Sequence, residues 1–338
     1  MPFGEKRNPP LKKILIVRFS SIGDIVLTTP VLRCLKLQLG AELHFLTKKA
    51  YRELLVANPH LDRIWTIERR VSEVLPALRK ERFDLVVDLH RNLRSLQLKW
   101  HLRRPSVSFQ KLNWEKWLMV RFKIDRLPDR HIVDRYLDAV RTYGVQYDGQ
   151  GLDHFIPPEQ EVDLAAVLGL HEPFTAFAIG AAHATKRLPA DKILAVCRRL
   201  PGPVVLLGGP GEQAVGRSVA EQLGDRVHDT CGRLSLQQSA SVVRQAQVVI
   251  SHDTGLMHLA AALRRPVVSV WGNTIPAFGM YPFFPAGAAQ QVVVEVEGLS
   301  CRPCSKIGYE ACPRGHFRCM REISEEAIER AVTGFRKA

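Results

Sequence analysis

The sequence predicts an α/β protein built from two doubly wound, parallel-sheet domains in tandem. Three observations carry this. Short apolar runs rich in β-branched residues alternate with amphipathic stretches of helical length. The alternation lapses once, in GVQYDGQGLDHFIPPEQE (residues 144–161), and then restarts. And 338 residues suit two domains at ~100–200 residues each. The expected division is 1–155 and 156–338, the second part including a Cys-rich loop and a last helix. Such sheets bind ligands beyond the carboxyl ends of their strands, so two of them facing a cleft would hold a small-molecule site.

The elements follow in order. Ile14–Val17, Glu42–Thr47, Arg63–Ile67, Asp84–Leu89 and Ser106–Phe109 read as strands, with helices around Pro30–Leu39, Ala50–Ala57 and Val71–Glu81. In the second half Phe174–Gly180, Val204–Gly209, Val248–Ser251 and Val267–Trp271 read as strands. Ala190–Leu200, Glu212–Leu223, Leu236–Gln245 and Gly255–Leu263 read as the helices between them, and Glu322–Phe335 as an amphipathic last helix.

Composition excludes several classes. Hydrophobic residues make up 46% and charged residues 24%, which is globular and rules out wholesale disorder. No apolar run approaches the ~18 residues of a membrane span. The N-terminal MPFGEKRNPPLKK has no apolar core of a secretory signal, so the protein is expected in the cytoplasm. Cys34, Cys197 and Cys231 read as core thiols. The formal net charge is +14, and residues 1–150 carry +13 of it. Within Arg91–Arg141, 13 basic residues outnumber 5 acidic ones, with Trp100, Trp114 and Trp117 among them. That suits an anionic membrane surface, a phosphorylated substrate or nucleic acid, or simply a solubilising face.

Four segments carry candidate chemistry. In ILIVRFSSIGDIVLTTPVL (14–32) a strand runs into a Ser-Ser-x-Gly-Asp turn, with Pro30 suited to a first helical turn. Asp24 sits at the strand's carboxyl edge, as a general base or as a helix cap. Gly23 would let backbone approach a ligand. A Gly-x-Gly-x-x-Gly is absent, which argues against a dinucleotide site here. In residues 248–272, Asp253-Thr254-Gly255 lies between a strand and a helix, whose free N–H groups favour a diphosphate. His258 follows on that helix, as a site or a core histidine. In residues 178–192, Lys186 and Arg187 precede a Pro-led helix and would add charge to a phosphate cradle. In residues 204–213, Glu212 follows Gly208-Gly209, placed to hold ribose hydroxyls or to serve a first helical turn.

These segments resemble the bacterial lipopolysaccharide heptosyltransferases, glycosyltransferase family 9. Arg18-Phe19-Ser20-Ser21-Ile22-Gly23-Asp24, Thr185-Lys186-Arg187-Leu188-Pro189 and Ser251-His252-Asp253-Thr254-Gly255-Leu256-Met257-His258 carry the likeness, and it runs over almost the whole chain. The resemblance implies a GT-B fold, with the acceptor on the first domain and an ADP-sugar on the second. It implies inverting transfer of heptose from ADP-heptose. Asp24 would take the proton from the acceptor hydroxyl, and Ser21, Gly23 and Arg91 would line the acceptor site. Lys186 with Thr185, and Asp253, Thr254 and Gly255 with His258, would hold the donor. Glu212 matches the ribose position only loosely, because the turn before it differs.

The resemblance implies no catalytic metal; helix N-termini and Lys186 would neutralise the leaving ADP. The acceptor, lipid A bearing Kdo with or without a first heptose, is anionic. The basic half is therefore expected to make peripheral contact with the cytoplasmic face of the inner membrane. The departure is the tail, where Cys301, Cys304, Cys312 and Cys319 could form a four-thiolate zinc site or stay as reduced cysteines in a loop. Rival readings are a same-fold transferase using another nucleotide sugar, and a basic, zinc-stabilised nucleic-acid-binding protein. The second leaves the Ser-Ser-x-Gly-Asp and Asp-Thr-Gly segments unexplained, and no nucleic-acid-binding motif is present, so no nucleic acid is expected as a partner.

Overall fold

A computed structural model describes residues 11–288 and 290–337. The part of the N-terminal stretch up to residue 10, on which the absence of a secretory signal was argued, lies outside the described residues. In chain order the elements begin with β1 (Lys13–Val17), α1 (Ile22–Val26), α2 (Thr29–Leu39), β2 (Glu42–Lys48), β3 (Arg63–Ile67), α3 (Leu75–Lys80), β4 (Leu85–Asp88), α4 (Leu93–Leu102), β5 (Ser106–Ser108), α5 (Asn113–Phe122) and α6 (Ile132–Asp138). They continue with α7 (Leu164–Leu168), β6 (Thr175–Ala178), α8 (Ala190–Arg199), β7 (Val204–Leu207), α9 (Gln213–Leu223), β8 (Val227–Asp229), α10 (Leu236–Gln245) and β9 (Val248–His252). Last come α11 (Gly255–Ala262), β10 (Val267–Trp271), β11 (Gln291–Glu295), α12 (Arg318–Arg321) and α13 (Glu325–Lys337). The chain divides into two compact units. One holds the chain up to Lys111 together with Ile132–Gln150; the other holds Leu112–His131 and everything from Gly151 onward.

The first unit is a five-stranded parallel sheet in the order β3-β2-β1-β4-β5. β1 and β4 are buried along almost their whole length, as central parallel strands covered on both faces must be. Leu15, Val17, Leu46, Val86 and Leu98 form one core with Phe19 and Phe83. α2 ends at Gly40, whose φ of +61° closes the helix. Arg33 on α2 clamps Asp148 with two hydrogen bonds of 2.6 and 2.8 Å. α4 starts on a reciprocal cap: Ser95 N–H donates to Asn92 Oδ1, and Asn92 N–H donates to Ser95 Oγ, both at 2.9 Å.

Two expected helices change form. Over Ala50–Ala57 the chain makes a 3₁₀ helix, Lys49–Leu54, because only Leu54 and Leu55 bury there and no apolar stripe supports an α-helix. The expected helix Val71–Glu81 splits into a 3₁₀ turn, Val71–Glu73, and α3. The Glu73 carboxylate accepts from the N–H groups of Glu68, Arg69 and Arg70, which fixes the turn, and Pro76 opens α3 afresh.

The second unit is a six-stranded parallel sheet in the order β11-β10-β9-β6-β7-β8. Its core joins β6, β7, β9 and β10 to α8 and α13 through residues such as Phe177, Leu206, Ile250, Val270 and Ile328. β8 and β11 were not expected: both are edge strands, β8 has only three residues, and β11 is only half-buried. The expected last helix, Glu322–Phe335, is α13, and the short α12 ahead of it was not expected; Ser324 Oγ accepts from Ala327 N–H at 3.1 Å at the start of α13. Among the described residues, no helix is long and apolar enough to cross a membrane.

Candidate active site

Both sheets run outward from their first strand, and each has a switch point where consecutive connections leave in opposite directions: between β1 and β4 in the first unit, between β6 and β9 in the second. Ligand sites belong at the carboxyl ends of strands beside such points. The named residues gather at both.

In the first unit β1 ends at Val17 and the chain turns through Arg18–Ser21 into α1. The Arg18 guanidinium is buried and bridges the switch point. It donates to the carbonyl of Leu89, just past β4, at 2.6 Å, to Ser20 O at 2.7 Å and to Tyr136 Oη at 3.0 Å. It also ion-pairs with Asp24 Oδ1 at 2.6 Å. The other carboxylate oxygen of Asp24 accepts from Ser21 N–H at 3.2 Å and Ser21 Oγ at 2.8 Å. Asp24 is therefore the third residue of α1 and completes the cap that Ser21 begins. The base and the cap are the same carboxylate. Burial alone would raise its pKa, but Arg18 and the two Ser21 donors outweigh burial and hold it below the usual carboxylate value. Asp24 is ionised at neutral pH.

Gly23 lies inside α1 and is buried, because the helix already starts at Ile22; it is not in the turn that faces a ligand. Arg91 has a left-handed backbone (φ +49°) just after β4, and its head donates to Phe109 O at 3.1 Å. Three residues nearby were not expected. Asp88, the buried last residue of β4, accepts from Ser95 Oγ, His90 N, Arg91 N and Lys99 Nζ at 2.7–3.0 Å and so fixes the loop after β4. His90 stacks edge-on against Phe19 at 5.1 Å. Burial, with the charges of Arg18 and Lys111, holds its pKa at about 4, so it is neutral. Among the described residues its buried Nδ1 has no partner. Lys111 adds a cation whose pKa burial and Arg18 lower. An aspartate ending a VVD strand was the available signal for Asp88; nothing local marks His90 or Lys111.

In the second unit the Lys186 ammonium reaches across the switch point from the loop after β6 to Asp253 Oδ2, just past β9, at 2.6 Å. Thr274 Oγ1 donates to the same oxygen at 2.8 Å. Thr254 is the extended N-cap residue of α11 and Gly255 its first residue, so the free N–H groups of that helix open beside Lys186. The Asp253 carboxylate thus holds the Lys186 ammonium in place. His258 is buried within α11. Thr185 is also buried. Its hydroxyl accepts from Tyr309 N–H at 2.8 Å and its own N–H donates to Tyr309 O at 3.1 Å, so it fastens the loop rather than facing a ligand.

Glu212, past β7, pairs with Arg187 at 2.8 Å and accepts from Gly209 N–H at 2.9 Å. Gly180 lies beside it: a Cβ there would stand 2.9 Å from Glu212 Oε2, the movable end of that side chain. His252 ends β9. Its Nε2 accepts from Leu188 N–H at 3.1 Å, tying the loop after Lys186 to β9, and burial keeps its pKa at about 4.

The core thiols behave as expected: Cys34, Cys197 and Cys231 are buried and unbridged. Among the described residues the one acidic-histidine group with metal-like spacing is Glu42, His44 and Glu81. Its atoms are already engaged. Trp65 Nε1 donates to His44 Nδ1, His44 Nε2 pairs with Glu42, and Lys13 and Arg63 hold Glu81.

Two parallel Rossmann-like sheets, each with polar residues clustered at its switch point, are the architecture of the GT-B glycosyltransferases. The chain belongs to glycosyltransferase family 9 (heptosyltransferase), whose sequence profile matches residues 71–311. It is similar to lipopolysaccharide heptosyltransferase 1 of Pseudomonas aeruginosa, at 26% identity over 321 residues, covering 87% of this chain and 86% of that protein. The fold resembles the family 9 glycosyltransferase of Veillonella parvula, with a TM-score of 0.77, 24% identity and coverage of 97% and 98%. It also resembles the ADP-heptose lipopolysaccharide heptosyltransferase II of E. coli, with a TM-score of 0.72, 19% identity and coverage of 96% and 100%.

Proposed function

We propose that this glycosyltransferase moves heptose from ADP-heptose to the anionic inner core of lipopolysaccharide, on Kdo-lipid A or its heptosylated form, with inversion at the anomeric carbon. The observation that carries this is the Lys186–Asp253 bridge across the second switch point, beside the open N-terminus of α11. A fixed cation and a row of free N–H groups suit the diphosphate of a nucleotide sugar. Glu212, in the turn beyond β7, is the candidate for the ribose hydroxyls.

The step is a single displacement. The acceptor hydroxyl oxygen attacks the anomeric carbon, the bond to the ADP oxygen breaks, and ADP leaves with the electron pair. Lys186, Arg187 and the α11 N-terminus receive the charge developing on the diphosphate. Asp24 accepts the hydroxyl proton. Held below the usual carboxylate pKa, it is a weak base, suited to a hydroxyl that becomes acidic as its oxygen bonds to carbon. The neutral imidazole of His90 and the Lys111 cation supply a polar lining for an anionic acceptor.

Membrane contact falls on two helices. On α4, Leu93, Leu96 and Trp100 are exposed among Arg94, Lys99 and Arg103. α5 buries none of its residues. Trp114 and Trp117 stack at 4.8 Å on it, followed by Phe122 and Ile124, with Lys116, Arg121 and Arg126 alongside. Exposed aromatics among cations fit the interface of an anionic bilayer. α4 belongs to the first unit and α5 to the second, so each unit carries exposed aromatics among cations.

The deciding experiment is transfer from ADP-heptose to Kdo2-lipid A and to its monoheptosylated form, compared with other nucleotide sugars. Turnover with another sugar nucleotide and none with ADP-heptose overturns the donor assignment.

A further inference from the structure

β10 ends at Trp271, and the chain leaves it through an irregular turn, Gly272-Asn273-Thr274, before a 3₁₀ turn begins at Pro276. Carbonyls past a strand end have no ladder to pair them and need other donors. One segment, Arg302–Cys304, supplies them to all three residues of the turn. Arg302, whose side chain is 7% exposed, donates from Nε to Gly272 O at 2.5 Å and from Nη2 to Thr274 O at 2.9 Å. Cys304 N–H donates to Asn273 O at 3.0 Å. The same guanidinium reaches Val296 O at 2.8 Å and Glu295 Oε2 at 2.7 Å, which ties the turn to the end of β11. Arg302 is itself braced: Lys123 Nζ donates to the carbonyls on either side of it, Cys301 O at 3.3 Å and Pro303 O at 2.7 Å.

The turn ends on the donor side. The buried Thr274 hydroxyl donates to Asp253 Oδ2 at 2.8 Å, the oxygen that also holds Lys186 Nζ at 2.6 Å. Among the described residues Asp253 Oδ1 has no hydrogen bond. A carboxylate held through one oxygen by Lys186 alone would be free to turn about its Cβ–Cγ bond; Thr274 fixes it. Lys186 gives a second donor to Asp253 O at 3.4 Å, which leaves its third N–H for a ligand oxygen. The turn also abuts the Lys186 loop: a Cβ on Gly272 would stand 2.8 Å from Thr185 O.

We propose that Arg302 and Thr274 are positioning residues of the donor site and act in series: Arg302 sets the turn, the Thr274 hydroxyl sets the Asp253 carboxylate, and Asp253 aims the remaining N–H of Lys186 at the diphosphate. The proposal rests on Lys186 binding that diphosphate. A guanidinium suits the first step, because five N–H groups in one rigid plane span carbonyls that an ammonium cannot reach together. The relay bears on the phosphates and not on the nucleoside.

The test is calorimetry of ADP, and of adenosine, which has no phosphate, on the full-length protein. Thr274→Val keeps the shape and loses the hydroxyl. It should bind ADP roughly 3–10-fold more weakly, the scale of one hydrogen bond, and adenosine as the wild type does. Thr274→Ser should restore ADP binding. Arg302→Lys should give a similar loss, and adding Thr274→Val to it, or to Lys186→Ala, should weaken ADP no further. Wild-type ADP affinity in Thr274→Val overturns the relay. So does an equal loss for adenosine, which a merely structural turn would give. Full ADP affinity in Arg302→Lys removes Arg302 from the relay; should that variant not fold, Lys123→Met, which releases the carbonyls beside Arg302, takes its place with the same two outcomes. If Lys186→Ala leaves ADP affinity unchanged, the donor assignment has failed, and the rate of reductive methylation of Lys186 Nζ, read by mass spectrometry, decides the relay alone: faster in Thr274→Val supports it, and an equal rate overturns it.

Discussion

Arg18 and Asp24 are joined at 2.6 Å by a guanidinium that also grips the backbone beyond β4. The pair makes the catalytic candidate a fixed carboxylate rather than a mobile one. Asp24→Asn keeps an oxygen for Arg18 and for the cap but cannot take a proton. Turnover is expected to fall ~10²–10⁴-fold. Some melting temperature should also be lost, because Arg18 stays buried with a neutral partner. Measured turnover near that of the wild type would leave Asp24 as a helix cap only.

Arg18→Gln tests the same pair from the other side. Asp24 has a folded pKa below its unfolded value. It therefore contributes stability that is present above the unfolded pKa and lost as pH falls through the folded one. Without the guanidinium the folded pKa rises. The acid limb of the kcat profile should move to higher pH, and acid unfolding should begin at higher pH. An unmoved acid limb would show that another group controls it.

Lys186→Ala should weaken ADP binding by ~1.5–3 kcal/mol, about 10–150-fold, the scale of a charge-assisted hydrogen bond. The variant also leaves Asp253 without its cation beside the phosphate, so the upper end is expected. Calorimetry on both proteins at the same ionic strength measures it, and equal affinities would remove Lys186 from the donor site.

Full-length protein should sediment with anionic vesicles at low salt and release as salt screens the contact over ~8–10 Å. Replacing Trp114 and Trp117 by Ser, or neutralising Arg103, Arg104, Lys111 and Lys116 together, should reduce binding while ADP affinity stays the same. Undiminished vesicle binding in both variants would reduce α4 and α5 to solvated surface.

The parallel strands were legible because burial on both faces writes them as continuous β-branched runs, as in ILIV and VVIS. What stayed hidden has local causes. β8 is a three-residue edge strand without such a run, and β11, though it carries Val292–Val294, is a half-buried edge strand whose run was not read as one. α5 presents its apolar side chains, Trp114, Trp117 and Phe122, to solvent rather than to a core. Asp24, Lys186 and Asp253 could be placed beyond strand ends from sequence because each stands in or just after a loop that follows a strand directly. The sequence did not show that Thr185 fastens its loop to Tyr309 or that Gly23 lies within a helix rather than a turn. His90 and Lys111 come to Arg18 only through tertiary folding.

Lys13, Glu42 and Arg63 open β1, β2 and β3, and Glu81 lies just ahead of β4. Their charge cluster with His44 therefore closes the amino end of the first sheet, while Arg18 and Asp24 stand past the carboxyl end of the same strands. At ~3.3 Å per residue, the length of β1 puts the two ends about 15 Å apart. Strand polarity thus divides labour along one sheet. Durability can be tuned at one rim and reactivity at the other, with substitutions at Glu42 or Arg63 free to accumulate under selection for heat resistance alone.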